Sequence, residues 1–545
     1  MNYINAVKVI YTAGDVENVD ALLQKKPLQI GLGERDLCVM KGKASIILDF
    51  GKEVSGGARI LTFFMRNAQK VRLRFGESVS ESCAELKKNG EIYGATNDHS
   101  TRDMCVDLQA YSDMTFGQTG YRFLRIDTLS DDCNLPLKTI VAAVDTDTRE
   151  EIGSFECDDA LVNEIWKTAA YTLRLCLQNG FIWDGIKRDR LVWIGDLYPE
   201  LRAAHCLFGQ IPETLNCLDF SMDQSPLPRY INDIPTYSLW WIICLHEVYK
   251  TSDDKAIFTK YIDYTKGIIE QIVAPCVAQD GTVSYSFNYI DWPSNRLDGE
   301  TDTENKDYER HAGVAFLTKV ALRAAKEFLS GYQEDCTLCD TLLALIEKKK
   351  YDIHIYKQIA ALGVWSDDTN DSIKQTLLRD GGKGLSTFQS YPILTAVAGF
   401  GEYESALSMM KEYYGGMLSV GATTFWEDFD LEWLEGSGRL DEMPKAGLKD
   451  IHGDFGKFCY QSFRHSFCHG WSAGVLPYLV ETVAGIKMTG AGMRRIEIKP
   501  NLSGLKHVKV NFPTPYGVMK VEHILQADGN VKTTVDAPKE IEVVY

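Results

Sequence analysis

The hydrophobic period of this chain changes twice, and those changes limit what it can fold into. Up to about residue 150, apolar residues come in short runs rich in β-branched and aromatic side chains: ASIILDFG, ARILTFFM, VRLRFGESV, YRFLRIDTL and LKTIVAAVDT. Gly, Asn, Asp and Ser clusters separate them, which predicts antiparallel strands packed as a β-sandwich. From about residue 151 the spacing becomes helical. FECDDALVNEIWKTAAYTLRLCLQN predicts a helix between Phe155 and Asn179, with Asp158 and Asp159 at its start. IPTYSLWWIICLHEVYKT, RHAGVAFLTKVALRAAKEFLS and later segments are apolar around much of their circumference. Such helices are buried on more than one side, as in paired inner and outer rings. From about residue 486 the strand pattern returns in RRIEIKP, HVKVNFPTPYGVMKVEHILQ and EIEVVY, with ADGN as a hairpin signal. The expected layout is an N-terminal β-sandwich over 1–150, a helical toroid over 151–485 and a C-terminal β-sandwich over 486–545. A chain of 545 residues is too long for one core.

Charge and cysteine usage exclude several classes of function. A formal net charge of −18 repels phosphate backbones, which argues against nucleic acid as a partner. No apolar run approaches the ~18 residues of a membrane span. The first residues, MNYINAVKVIYTAGDVENVD, lack a basic stretch followed by an apolar one, so a cytoplasmic location is expected. Fourteen scattered cysteines fit a reducing compartment. Cys336 and Cys339 form a CxxC within DCTLCDTLLALIE, read as one helix, and no further ligands lie near them in the sequence. Neither a metal nor a cofactor is expected.

Tryptophan and acid mark the chemistry. All 10 tryptophans lie between Trp166 and Trp471, inside the expected toroid. Three segments set Trp beside carboxylates: FIWDGIKRDRLVWIGDLYPE, SFNYIDWPSN and SVGATTFWEDFDLEW. The first holds Asp184, Arg188, Asp189, Trp193 and Asp196. A helix starting near Arg188 would put Asp189, Trp193 and Asp196 on one face. The second holds Asp291 and Trp292, the third Trp426 and Glu427. An indole covers the apolar face of a pyranose, and a carboxylate takes its hydroxyls or the charge developing at the anomeric carbon. Glycoside hydrolysis needs two such carboxyls, here one from the Asp184–Asp196 cluster together with Glu427. Competing motifs are weaker. GWSAG lacks the preceding strand of a nucleophile elbow and reads as a helix start. His465 and His469 lack the Glu of a zinc helix. His246–Glu247 reads as helix surface, GLGERD lacks a third Gly, and the lysines at 348–350 read as a solvated helix end.

DGIKRDRLVWIGD resembles the D-C-P-x-R-[DE]-R-x-x-W-x-G-D motif of the bacterial α-L-rhamnosidases, glycoside hydrolase family 78. GATTFWE is similar to the same family's G-A-T-T-x-W-E, and SFCHGWSAGV more loosely to its S-x-N-H-x-x-x-G-x-V. The resemblance spans essentially the whole chain. It implies an (α/α)6 toroid flanked by N-terminal and C-terminal antiparallel β-sandwich domains. It also implies an exo-acting, inverting hydrolase that releases terminal α-L-rhamnose from rhamnosides or rhamnose-containing glycans. Glu427 stands at the position of the general base and Asp189 at that of the general acid, which in the family is usually Glu. Asp184, Arg188, Trp193, Asp196, Asp291, Trp292 and His469 then hold the sugar, with Trp426 as a further wall. Two departures are visible: the shorter Asp189, which leaves Asp184 or Asp196 as alternative acids, and Gly185–Ile186 in place of Cys-Pro. The other readings are a non-catalytic carbohydrate-binding relative and a toroid hydrolase acting on a different glycone. A rhamnose-bearing oligosaccharide or glycoside is the expected partner, with a homodimer as the expected assembly if there is one.

Overall fold

The computed structural model describes residues 2–26, 36–85, 102–294, 303–456 and 462–545. Most of the GLGERD segment lies outside the described residues.

A seven-stranded sheet makes the N-terminal part. Its spine is Cys38–Thr62, which pairs with Asp113–Thr128 in two stretches: Ser45 to Asp49 against Asp127 to Phe123, then Val54 to Leu61 against Tyr121 to Asp113. The register breaks between Asp49 and Val54, so one long strand serves both halves of the sheet. Its inward side chains, Ile46, Leu48, Ile60, Leu73 and Leu124 among them, form a core of their own.

Next come two rings of helices. Ile194–Phe208, Pro235–Thr251, Thr303–Ser330, Lys357–Trp365 and Ser390–Gly399 pack side by side, and the helical turns from Gly470 to Val483 close the ring against the first of them. Ala160–Cys176, Pro212–Gln224, Ile262–Ile268, Thr337–Ile346, Asp371–Leu378 and Tyr403–Ser419 lie outside. The result is the expected six-hairpin toroid. The inner helices account for the all-round apolar segments: every residue of Ile194–Phe208 but Arg202 is buried, and every residue of Pro235–Thr251 but Lys250. His246 and Glu247 are therefore buried, contrary to their reading as helix surface. Glu247 is ion-paired to Arg202, and His246 faces Glu327. Asp159 caps its helix as expected, accepting from the Leu161 and Val162 amides. Phe155, however, belongs to a strand and not to that helix. Cys336 sits at the cap of Thr337–Ile346, outside the helix proper. None of the described cysteines is bonded to another.

Two small sheets form the C-terminal part. One runs Val531–Asp536, Gly517–Leu525, His507–Thr514 and then Ser154–Cys157, so its edge strand comes from the segment leading into the toroid. The other joins Ile486–Met488, Arg495–Ile498 and Glu542–Val544. Their core is continuous with that of the toroid. Among the described residues no helix is long and apolar enough to cross a membrane.

Candidate active site

Segments entering the N-terminal ends of the inner helices meet at one mouth of the toroid. Residues 184–193 lead into Ile194–Phe208, Ile234 into Pro235–Thr251, Tyr289–Trp292 towards Thr303–Ser330, and His469 into the last inner turns. Their side chains surround a cavity of about 200 Å3 lined by Asp184, Arg188, Asp189, Trp193, Asp196 and Glu427, with Tyr237, Tyr289, Trp292, Arg464, His469 and Trp471 completing it.

The first loop is closed on itself. The Asp184 amide donates to Leu191 O at 3.0 Å, the Leu191 amide donates to Asp184 Oδ1 at 2.8 Å, and the Gly470 amide donates to Asp184 O at 2.7 Å. Closing so short a ring forces Asp189 and Arg190 into the left-handed region, at φ 54° and 56°. The helix expected from Arg188 therefore starts only at Ile194, and Asp189 projects from a strained turn. Gly185 makes a bridge with His469, and its added Cβ would lie 3.0 Å from Cys468 O. Gly195 is needed for a different reason: a Cβ there would lie 2.5 Å from the Tyr237 ring, whose hydroxyl donates to Asp196 Oδ1 at 3.2 Å.

Glu427 is held from several sides. Its carbonyl accepts from Thr387 Oγ1 at 2.6 Å and from the Trp471 indole at 2.9 Å. Its amide donates to Ser466 O at 2.9 Å, and its Oε2 accepts from the Ser466 amide at 3.1 Å. The preceding threonines are ties: Thr424 Oγ1 donates to Phe467 O, and Thr423 Oγ1 accepts from the Glu53 amide of the N-terminal sheet. One guanidinium bridges the two sequence-predicted catalytic carboxylates, Arg188 bonding Glu427 and lying 2.9 Å from Asp189.

Deeper in, His469 Nε2 stands 3.8 Å from Asp184, 3.8 Å from Asp196 and 3.7 Å from Glu427. These spacings are too long for hydrogen bonds but leave room for hydroxyls to bond between the groups. Burial, with the neighbouring Asp189 and Asp196, pushes Asp184 well above the usual carboxylate range. Burial does the same to Asp196, opposed by the Tyr237 hydroxyl and reinforced by Glu427. Glu427 is also raised by burial, with Arg188 opposing. Burial, with Arg188 and His465, drives His469 well below its ordinary value and keeps it neutral. Burial thus favours the neutral forms of Asp184, Asp196 and His469 at the floor, while Arg188 opposes that effect at Glu427.

Two expected contacts do not reach the cavity. Trp426 is fully buried, stacked on Phe467 with centroids 4.0 Å apart, and serves the core behind the site. Asp291 is buried too, accepting from the Trp292 amide at 2.7 Å and from Ser386 Oγ; burial pushes its pKa up to about 7. It fixes Trp292, which does line the cavity. Tyr237, Tyr289, Trp471 and Arg464 were not singled out from the sequence. Tyr289 lies two residues before Asp291 and was within reach, whereas Tyr237 sits among helix-core aromatics that no local pattern separates. Ser472 of GWSAG is buried and donates to His469 O at 2.7 Å, so it is a turn residue. His465 accepts from the Asp428 amide at 2.9 Å.

Among the described residues, Glu77, Glu81 and His452 bring metal-type ligand atoms together. The Lys187 ammonium already stands between them, 3.2 Å from Glu77 and 3.0 Å from Glu81. The protein's own cation takes that position.

Residues 150–337 match the bacterial alpha-L-rhamnosidase 6 hairpin glycosidase domain, and residues 485–544 match the bacterial alpha-L-rhamnosidase C-terminal domain. Among solved structures, the GH78 family rhamnosidase of Bacillus sp. GL1 superposes with a TM-score of 0.73 at 20% identity, covering 96% of this chain and 55% of that one. The α-L-rhamnosidase from Aspergillus terreus gives 0.68 at 18% identity, covering 93% and 60%. The rhamnosidase from Klebsiella oxytoca with rhamnose bound gives 0.67 at 18%, covering 88% and 95%. The chain thus spans less than two thirds of the first two relatives, and at these identities the likeness is one of fold. No curated protein matches it.

Proposed function

Taking as premise that residues 150–337 match the six-hairpin domain and residues 485–544 the C-terminal domain of the bacterial alpha-L-rhamnosidases, we propose that this chain is an exo-acting glycoside hydrolase releasing terminal α-L-rhamnose with inversion. The observation that carries the reading is the convergence of Asp184, Asp189, Asp196 and Glu427 on one cavity walled by Trp193, Trp292 and Trp471. Rhamnose is neutral, and its C6 methyl needs an apolar wall, which the three indoles supply.

Glu427 is the general base. It must be ionised to take a proton from water, and the Arg188 guanidinium opposes the effect of burial on it. Asp189 is the general acid. Of the four carboxyls it is the one with appreciable exposure, 20% at the side chain against 5% or less for the others, so it stands at the rim where the leaving group departs. Asp184 and Asp196, buried and favouring the neutral form, hold the hydroxyls of the glycone together with His469. In the reaction Asp189 protonates the glycosidic oxygen as the C–O bond breaks. Water deprotonated by Glu427 adds to the opposite face of the anomeric carbon. The Asp189 side chain is one methylene shorter than Glu, and from its left-handed turn it lines the cavity.

The test is a panel of nitrophenyl glycosides. The α-L-rhamnoside is expected to be cleaved and the α-L-arabinofuranoside, β-D-glucoside and β-D-galactoside to be inert. Cleavage of another glycone in preference overturns the substrate assignment, and no cleavage of any of them overturns the enzyme reading.

A further inference from the structure

A second concentration of buried charge lies outside the cavity, between the N-terminal sheet and the toroid mouth. Glu77 follows the strand Gln69–Gly76 and precedes a short turn capped by Ser78. Its Oε2 accepts from the Phe467 amide at 2.7 Å and lies 3.2 Å from Lys187 Nζ; its Oε1 accepts from Ser466 Oγ at 3.2 Å. Lys187 Nζ donates to His465 O at 2.7 Å and pairs with Glu81 at 3.0 Å, and Glu81 is in turn bonded by Arg102. The Glu77, Glu81 and Lys187 side chains are wholly inaccessible to solvent.

Desolvating such a cluster is costly, and apolar residues of similar size would give comparable stability. Its value lies in what it fixes. The segment His465–Phe467 faces two ways. On one side its carbonyl, hydroxyl and amide are taken by Lys187 and Glu77. On the other, the Ser466 amide and carbonyl hold the Glu427 carboxylate and amide. Lys187 also immediately precedes Arg188, the bridge between Glu427 and Asp189. One anchor therefore joins the loop that carries Asp189 to the segment that holds Glu427.

We propose that Glu77 of the N-terminal sheet is a positioning residue for Glu427, acting through the Ser466–Phe467 backbone, with Lys187 tying the same anchor to the Arg188–Asp189 loop. The proposal rests on the role of Glu427 put forward above. It makes the β-domain part of the machinery that orients the base.

The experiment pairs amide hydrogen exchange with steady-state kinetics on full-length Glu77→Gln, which keeps the size of the side chain and removes its charge. The expected result is exchange over residues 462–469 faster by about tenfold or more, with strand Asp113–Thr128 unchanged. kcat on the nitrophenyl rhamnoside should fall about 10- to 100-fold with KM within about threefold, as for a displaced catalytic group. Glu77→Gln/Lys187→Met removes both charges together and carries the same expectations should the single variant misfold. Unchanged exchange over 462–469 overturns the proposal, and so does a kcat within twofold of the parent. If the parent hydrolyses no rhamnoside, the functional reading fails, and the exchange result alone decides whether Glu77 anchors the loop.

Discussion

Glu427 and Asp189 share one guanidinium and differ in almost everything else. Glu427 is buried and braced by backbone on two sides, while Asp189 stands partly exposed on a strained turn. Glu427→Gln should therefore lower kcat by about 10³-fold or more with little change in KM, and Asp189→Asn by about 10²-fold or more. The second loss should be smaller on substrates with an activated leaving group, which needs less protonation. Steady-state rates on nitrophenyl and unactivated rhamnosides check both. Asp291 makes a prediction of another kind. Burial raises its folded pKa to about 7 from an ordinary 3.8, so the folded state holds a proton that the unfolded state releases. Below about pH 4 both states are protonated and nothing is lost. From there up to about pH 7 this group should cost stability steadily, and above that the cost levels off. Asp291→Asn mimics the protonated form and should flatten that part of the profile; thermal melts between pH 4.5 and 7.5 measure it. Asp184, Asp189, Trp193, Asp196 and Glu427, which line one cavity, stood out in the sequence because three Trp-acid segments fall inside one helical region. Trp426 misled for the same reason: adjacency along the chain does not say which way an indole points, and Phe467, which claims it, lies far off in sequence.

At the scale of elements, the loop from Asp184 to Leu191 is the decisive piece. Its shape comes from its own hydrogen bonds and from the sheet beneath it. The Gly120 amide donates to Ile186 O at 2.8 Å, and Arg190 donates to Gln118 O at 2.9 Å. A Cβ at Gly120 would lie 2.7 Å from Ile186 Cγ1 and 3.0 Å from the Lys187 amide. Gly120→Val should therefore lift the loop and reduce kcat about tenfold or more. Asp159→Ala, at a helix cap remote from the site, should cost about 1 kcal/mol of stability and leave kcat unchanged. Denaturant titration alongside kinetics separates the two cases. The helices themselves were legible from their period. The late start of the helix at Ile194 was not, because Arg188 to Trp193 is compatible with a helix locally and is held out of one by Asp184 and by the sheet.

For the whole molecule, the ring of inner helices brings four connecting segments to one mouth among the described residues, and the N-terminal sheet closes against two of them. The twofold change of period revealed the three-part order, but not that the C-terminal sheet takes an edge strand from Ser154–Cys157 or that the first domain bonds to segments around the cavity. Such contacts join residues hundreds of positions apart and leave no local trace. The central claim, inverting release of rhamnose by this assembly, is tested most directly by proton NMR of nitrophenyl α-L-rhamnoside during the first minutes of turnover. The β-anomer of rhamnose should appear first and convert to the equilibrium mixture later. First appearance of the α-anomer, or no rhamnose at all, would contradict the account.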